Sequence, residues 1–255
     1  MTENPYASPE TLSITPELAK KRGFPFFKLL VGFGIMLVLA SLLLPNLRRG
    51  REPAYRTQCR NNLKHIGLAL HNYADQYGAL PPAYTVDADG KPLHSWRTLI
   101  LPFLEFEQNE LYKKIDFSKP WNDPANTEAF KTTPYAYRCP SETLPPNYTS
   151  YLGIVGENAC FHPTEPRSFS EITDSTSETL MVFEVAQEHA VHWMAPQDAS
   201  KNIVLNFGSN GKLAHSGGTQ AALADGSVRF ISENVSPETL RALISIAGNE
   251  QVGEY

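Results

Sequence analysis

From Leu29 to Leu47 the chain carries no charged residue, and the run is bounded by Lys28 before it and Arg48 after it. As an α-helix, a run of this length rises roughly 28 Å, close to the thickness of a bilayer's hydrocarbon core. A secretory signal would have a shorter apolar region followed by a small-residue cleavage site. Here Pro45, Asn46, Leu47 and Arg48 follow instead, so the pattern predicts a retained membrane helix over residues 24–47. Past Pro53 the pattern changes. Tyr55, Cys59, Leu63, Ile66, Leu70, Tyr73 and Tyr77 recur at intervals of 4, 4, 3, 4, 3 and 4. That is an apolar stripe along one helix face, with Arg56, Arg60, Asn61, Lys64 and Asp75 on the solvent side. Gly78 and the pair Pro81 and Pro82 close it. The reading is one long rod, interrupted near Pro45 and Pro53, apolar all round at its start and one-sided over residues 48–78. A second body must cover the stripe.

The rest of the chain supplies that body. Residues 1–23 are rich in Pro, Ser, Thr and Glu without apolar periodicity and read as a disordered tail. An extended segment begins at Pro81, and Asp87 to Gly90 form a turn. The apolar pattern from Trp96 to Tyr112 predicts a short helix whose regularity Pro102 limits. Residues 116–148 are mostly loop. Thr149 to Val155, Thr179 to Val185, Ala221 to Ala224 and Ser227 to Ile231 are strand-like runs bounded by Gly, Asp or Ser. Asp225 and Gly226 suggest a two-residue hairpin turn, and Ser236 with Pro237 opens a helix expected to run through Ile246. The fold class is α+β: a long N-terminal helix packed on a mainly antiparallel sheet, with residues 79–255 as the head domain.

Several segments resemble known proteins. A basic leader ending at Gly23, an immediate Phe24, an apolar helix and Pro45 are similar to the N-terminus of type IV pilins and of type II secretion pseudopilins. The segment Gln58 to Tyr73 resembles a large bacterial family of pseudopilin-like proteins that is expanded in planctomycetes and carries a domain of unknown function. The likeness continues at Trp96 to Glu105, Asp116 to Asn126, Arg138 to Ser141, Ala214 to Gly218 and Leu223 to Ile231, covering roughly residues 20–235. The resemblance implies a type IV pilin-like fold, cleavage between Gly23 and Phe24 by a prepilin peptidase, and association into homo- or hetero-oligomers through the N-terminal helix. It also implies a single-pass protein of the inner membrane with its head outside the cytoplasm. The chain departs from the family pattern at one position of consequence: where pilin-type helices carry a Glu that assembly requires, this one has Lys28. A cation there turns a salt bridge to a neighbouring amino terminus into a like-charge contact. A processed, assembled subunit and an uncleaved, tethered relative both fit the pattern.

Composition refines the picture. With 255 residues, 42% of them hydrophobic, the chain can bury a sizeable core in a head of about 175 residues. A net charge of −5 argues against nucleic acid as a partner. Arg48, Arg49, Arg51, Arg56, Arg60 and Lys64 form a basic cluster read as contact with lipid headgroups or a solvated helix face. Counting charges beside the apolar run would keep the head in the cytoplasm; the resemblance places it outside, and that orientation is preferred. Of the three cysteines, Cys59 lies on the stripe and Cys139 in a turn-like segment. A bridge between them would staple head to helix, leaving Cys160 odd; three free buried thiols are the alternative.

Candidate chemistry is sparse. Asp116, Asn122, Asp123 and Asn126 offer hard oxygen ligands, as the calcium loops of related pseudopilins do, but their spacing departs from an EF-hand and turn capping is the simpler use. His189 and His192, with His215 and Asp225, have metal-compatible types without any sign that they converge. His215, Ser216 and Asp225 lack a nucleophile elbow, and no phosphate-binding Gly loop is present. The sequence reads as a non-catalytic structural or interaction protein. The second reading is a tethered binding domain for a glycan, peptide or solute that uses Trp96, Trp121 and Trp193 as platforms.

Overall fold

The computed structural model describes residues 25–49, 51–104, 108–209, 211–253 and 255, and side chains at these positions except 25, 40, 42–49, 51 and 108. The leader over residues 1–23 and the Gly23–Phe24 junction lie outside the described residues. The chain divides into two compact units at Arg48 and Arg49, and each is treated by itself.

The first unit contains α1 (Pro25–Arg49). Pro45 falls within it without ending it. Eleven large apolar side chains between Phe26 and Leu39 are exposed, Phe27 at 71% and Met36 at 67%. They occupy successive positions around the helix, so no face of this segment is covered. Among the described residues no helix is long and apolar enough to cross a membrane; the uncharged run Leu29 to Leu47 continues over positions 40 and 42–47, whose side chains lie outside that description.

The second unit begins with α2 (Arg51–Tyr77). Pro53 sits in its first turn, where the missing N–H would have had no intrahelical partner. The 3–4 spacing is realised in the middle of the helix: Cys59, Leu63, Ile66 and Leu70 are fully buried. At its ends the stripe departs from expectation. Tyr55 and Tyr77 are exposed, since a Tyr can end an apolar stripe with its hydroxyl in water. Between them Asn62 is buried and donates from Nδ2 to the Arg138 carbonyl at 2.8 Å.

The head is built from β1 (Tyr84–Val86), β2 (Pro92–Ser95), β3 (Tyr148–Thr149), β4 (Tyr151–Gly153), β5 (Leu180–Glu184), β6 (Val191–His192), β7 (Gly218–Leu223) and β8 (Val228–Ser232). Its short helices are α3 (Trp96–Leu99), α4 (Gln108–Lys113), α5 (Thr127–Lys131), α6 (Lys201–Leu205) and α7 (Pro237–Ile244). The main sheet has the order β4-β5-β7-β8, antiparallel throughout. The helix expected over Trp96 to Tyr112 is instead α3 followed by a 3₁₀ turn at Leu101–Phe103, with α4 beginning afresh at Gln108. The ring of Pro102 cannot continue the α-helical ladder.

Every residue of β5 and β7 is buried, because both faces of the sheet are covered. On one side Met181, Val182 and Ala222 join the α2 stripe in the larger core. On the other, Leu180, Phe183, Ala221 and Leu223 pack with Val204 of α6 and with Leu240 and Leu243 of α7. Leu180 and Val182 are two apart yet serve opposite cores, since the pairing with β7 shifts register between them. The β7–β8 turn is longer than the expected two residues. Leu223 N donates to Ser227 O (2.8 Å) and Gly226 N to Leu223 O (2.9 Å), with Gly226 at φ 81°. This is a three-residue loop whose last position needs the left-handed conformation that glycine adopts readily. Ser236 caps α7 by accepting from Thr239 N at 3.0 Å.

Candidate functional site

The site lies where α2 meets the sheet, and four separated segments supply it. Cys59 comes from the middle of α2, and Cys139 follows the 3₁₀ turn at Tyr135–Tyr137. The two are joined as a disulfide with a Cα–Cα distance of 5.4 Å, closing a sequence separation of 80. Of the three cysteines, Cys160 is the remaining one; its buried thiol is pushed up to about 12 by burial, which makes it an inert core residue.

Beside the disulfide stand His215 and Glu184. Glu184 ends β5 and is fully buried, with Oε2 3.5 Å from His215 Nε2. His215 lies in a tight turn closed by a bridge to Gly218. Gly217 has φ 84°, and a Cβ at Gly218 would run into the Ile231 carbonyl. The glycines after His215 are therefore required by the turn and by the close approach of β8. Arg56 holds this turn against α2: Nη2 donates to Ser216 O at 2.9 Å while the guanidinium lies 4.4 Å from the Phe230 ring centre. Of the basic cluster, the half-buried Arg56 is thus engaged by the protein's own turn.

The imidazole is held from both ends. His215 Nδ1 is 3.1 Å from Glu52 Oε1 and 3.5 Å from Ser141 Oγ. Nε2 is 3.9 Å from Cys139 Sγ. Since a carboxylate only accepts, the Glu52 contact favours the tautomer with its proton on Nδ1, leaving the Nε2 lone pair toward sulfur and Glu184. Burial lowers the His215 pKa, and Glu52 opposes that effect.

A second carboxyl completes the group. Glu142 accepts from Ser150 Oγ at 2.5 Å through Oε2, while its Oε1 and the Oε1 of Glu184 have no hydrogen-bond partner among the described residues. Burial pushes Glu142 up to about 7. Glu184 is raised well above the ordinary carboxyl value, first by burial and then by Glu142. Burial therefore favours the protonated form of both acids, and at Glu184 the neighbouring Glu142 adds to it. Together the set is a disulfide with a histidine and two acids packed beside it in a water-poor interior.

Other expected sites serve structural ends. Asp116 accepts at Oδ1 from Ser118 N and Oγ, Asp123 accepts from Ala125 N, and Asn126 bonds the backbone of Asp116 and Pro120. These side chains cap turns. Asn122 belongs to the same loop. His192 stacks on Phe130 with ring centres 4.1 Å apart, and its Nε2 contacts the Phe130 carbonyl at 3.0 Å. His189 lies in a separate 3₁₀ turn. Asp225 and His215 lie beyond opposite ends of β7, about 20 Å apart by strand rise, so no triad forms. Trp96 and Trp193 are fully buried, with indole N–H groups donated to Asp198 Oδ1 and Thr132 O. Trp121 packs on Phe130. Neither buried indole is a platform for a ligand.

Sequence reasoning missed Glu52, Glu142 and Glu184, and also a buried ion pair. Arg97 donates to Asp198 Oδ1 at 2.6 Å and to the carbonyls of Trp193, Ala195 and Gln197. Part of the main site was readable: Glu52 and Arg56 precede the stripe residue Cys59 and Asn62 follows it at helical spacings, which sets these polar side chains beside the apolar stripe.

Residues 48–159 match the model of a family described as protein of unknown function (DUF1559). The match takes in α2, both bridged cysteines and Glu142. Comparison with curated proteins and with solved structures gives no match.

Proposed function

We propose that this chain is a non-catalytic, pseudopilin-like structural or interaction protein, held in the inner membrane by α1 with its α+β head outside the cytoplasm. One observation carries the reading: the eleven exposed large apolar side chains between Phe26 and Leu39. Fully covering such a side chain is worth about 1.5–3 kcal/mol, so at 46–71% exposure the eleven represent on the order of 10–20 kcal/mol of unmet burial. A helix apolar on all sides calls for lipid or for neighbouring helices. The disulfide supports the orientation, because such bonds persist in oxidising compartments. The segments similar to pseudopilins supply the class. Lys28 is exposed in the first turn of α1, and sets this chain apart from subunits that pair an acid with a neighbour's amino terminus.

Native membranes washed with alkaline carbonate test the reading. The full chain should stay with the lipid, and protease added outside spheroplasts should cut the head. A chain released by carbonate, or a head protected in intact spheroplasts, overturns it. Intact-mass measurement on the same material decides between the two forms of the proposal: a chain starting at Phe24 is a processed subunit, and one retaining residues 1–23 is a tethered relative.

A further inference from the structure

Cys59, Cys139, Glu184 and His215 are all buried, and their ligand atoms lie within 4.8 Å of one another. We propose that, when the disulfide is reduced, these four residues form a site for a single divalent cation of the zinc type. The disulfide and the metal are then alternative ways of fastening α2 to the head.

The donor set and its surroundings carry the argument. Two thiolates, one imidazole and one carboxylate are the ligand types that zinc takes, in tetrahedral array. With Zn–S near 2.3 Å, the sulfurs of such a site stand roughly 3.7 Å apart, a short outward step for two side chains whose Cα atoms are 5.4 Å apart. The two ligands not in the disulfide are aimed at the same point. His215 Nε2 faces Cys139 Sγ at 3.9 Å and Glu184 Oε2 at 3.5 Å. Glu52 at Nδ1 is the outer carboxylate that orients metal-bound imidazoles and fixes their tautomer. Glu184 is fully buried and Oε1 has no partner among the described residues. A lone pair on Nε2 opposite a carboxylate oxygen is repulsive unless a proton or a cation sits between them. Two thiolates and one carboxylate against a dication leave a net charge of −1, with the Arg56 guanidinium bonded to Ser216 O next to His215 in the chain.

The conversion balances as thiol–disulfide chemistry. A dithiol reductant gives two electrons and two protons to the Cys59–Cys139 bond and becomes a disulfide itself. The cation then displaces the protons from both thiols and from Glu184 as it binds. Removing the cation and withdrawing two electrons restores the bond.

The test uses the full chain in detergent, reduced by a phosphine that is oxidised to its oxide with oxygen from water. Excess phosphine is removed without air, and Co²⁺ is titrated. The expected result is one equivalent per chain, with thiolate-to-cobalt charge-transfer absorption and the visible bands of a tetrahedral ion, displaced by Zn²⁺. Replacing both cysteines by Ser should abolish the charge-transfer band. Glu184→Gln, close in shape, should weaken binding at least about tenfold. Glu52→Gln, which leaves all four donors in place, should weaken it by roughly 10–100-fold. Circular dichroism of each variant shows whether it is folded. Absence of the band in folded, reduced protein overturns the proposal. So does binding that Glu184→Gln and Glu52→Gln leave unchanged, or a reduced chain that unfolds even with Zn²⁺ present.

Discussion

Replacing Glu142 by Gln isolates the cost of a buried acid from the packing around it. The residue is 9% exposed, and among the described residues only Ser150 Oγ, at 2.5 Å, bonds its side chain. Burial raises the carboxyl from 4.5 to about 7. For an acid raised on folding, the stabilising contribution is complete below the unfolded value, here near 4.5, and is lost as pH climbs through about 7. Each pH unit of that interval is worth about 1.4 kcal/mol, so the total is about 3 kcal/mol. Gln keeps the shape, can still accept from Ser150 and does not titrate. Urea unfolding of the two proteins at pH 4 and pH 8 provides the assay. The stability of the variant relative to the parent should rise by about 3 kcal/mol between the two. The relief of Glu184, whose pKa Glu142 also raises, adds to that gain. A difference that stays constant with pH would refute the reasoning, because it would mean that water or a cation already compensates the charge.

Two further outcomes follow from the same interior. Reducing the disulfide opens a loop of 80 residues, worth about 4.5 kcal/mol by loop entropy, or roughly 10–18 °C in melting temperature for a domain of this size; thiol counts on the unfolded chain should rise from one to three, and an unchanged melt would contradict the staple. Asp198→Asn strands the fully buried Arg97 guanidinium without its counter-ion and should cost about 3–5 kcal/mol by denaturant midpoint, whereas breaking an exposed pair such as Lys113–Glu110 should leave the midpoint almost unchanged.

How far the sequence spoke depended on the range of each signal. The stripe of α2 was legible because Cys59, Leu63, Ile66 and Leu70 repeat at helical spacing. The cap at Ser236 and the loop capping by Asp116 and Asp123 were legible because side chain and backbone partner lie within a few residues. Near misses were local as well. Asp225 and Gly226 marked the turn, but Ala224 joins it, and Pro102 divided a helix that periodicity alone extends. The candidate site was legible only in part. Glu184 closes an apolar strand and reads as its wet end, yet β7 and the His215 turn bury it. Cys139 and His215 are 76 residues apart, and Glu52 is 163 from His215; no periodicity links positions so distant. Arg97 and Asp198 follow the same rule. The bridge itself could be suspected from a cysteine on a buried face and another in a turn, whereas its acidic surroundings had no local trace. Acids are seldom buried, and Glu142 and Glu184 are both exceptions.

The most direct measurement places a photoreactive phenylalanine analogue at Phe33, which is 61% exposed on α1, and irradiates cells expressing the full chain. Adducts should form with lipid or with the apolar helix of a neighbouring subunit, all in the carbonate-resistant membrane fraction. Adducts only to soluble proteins, with the chain recovered in the aqueous fraction, would contradict it.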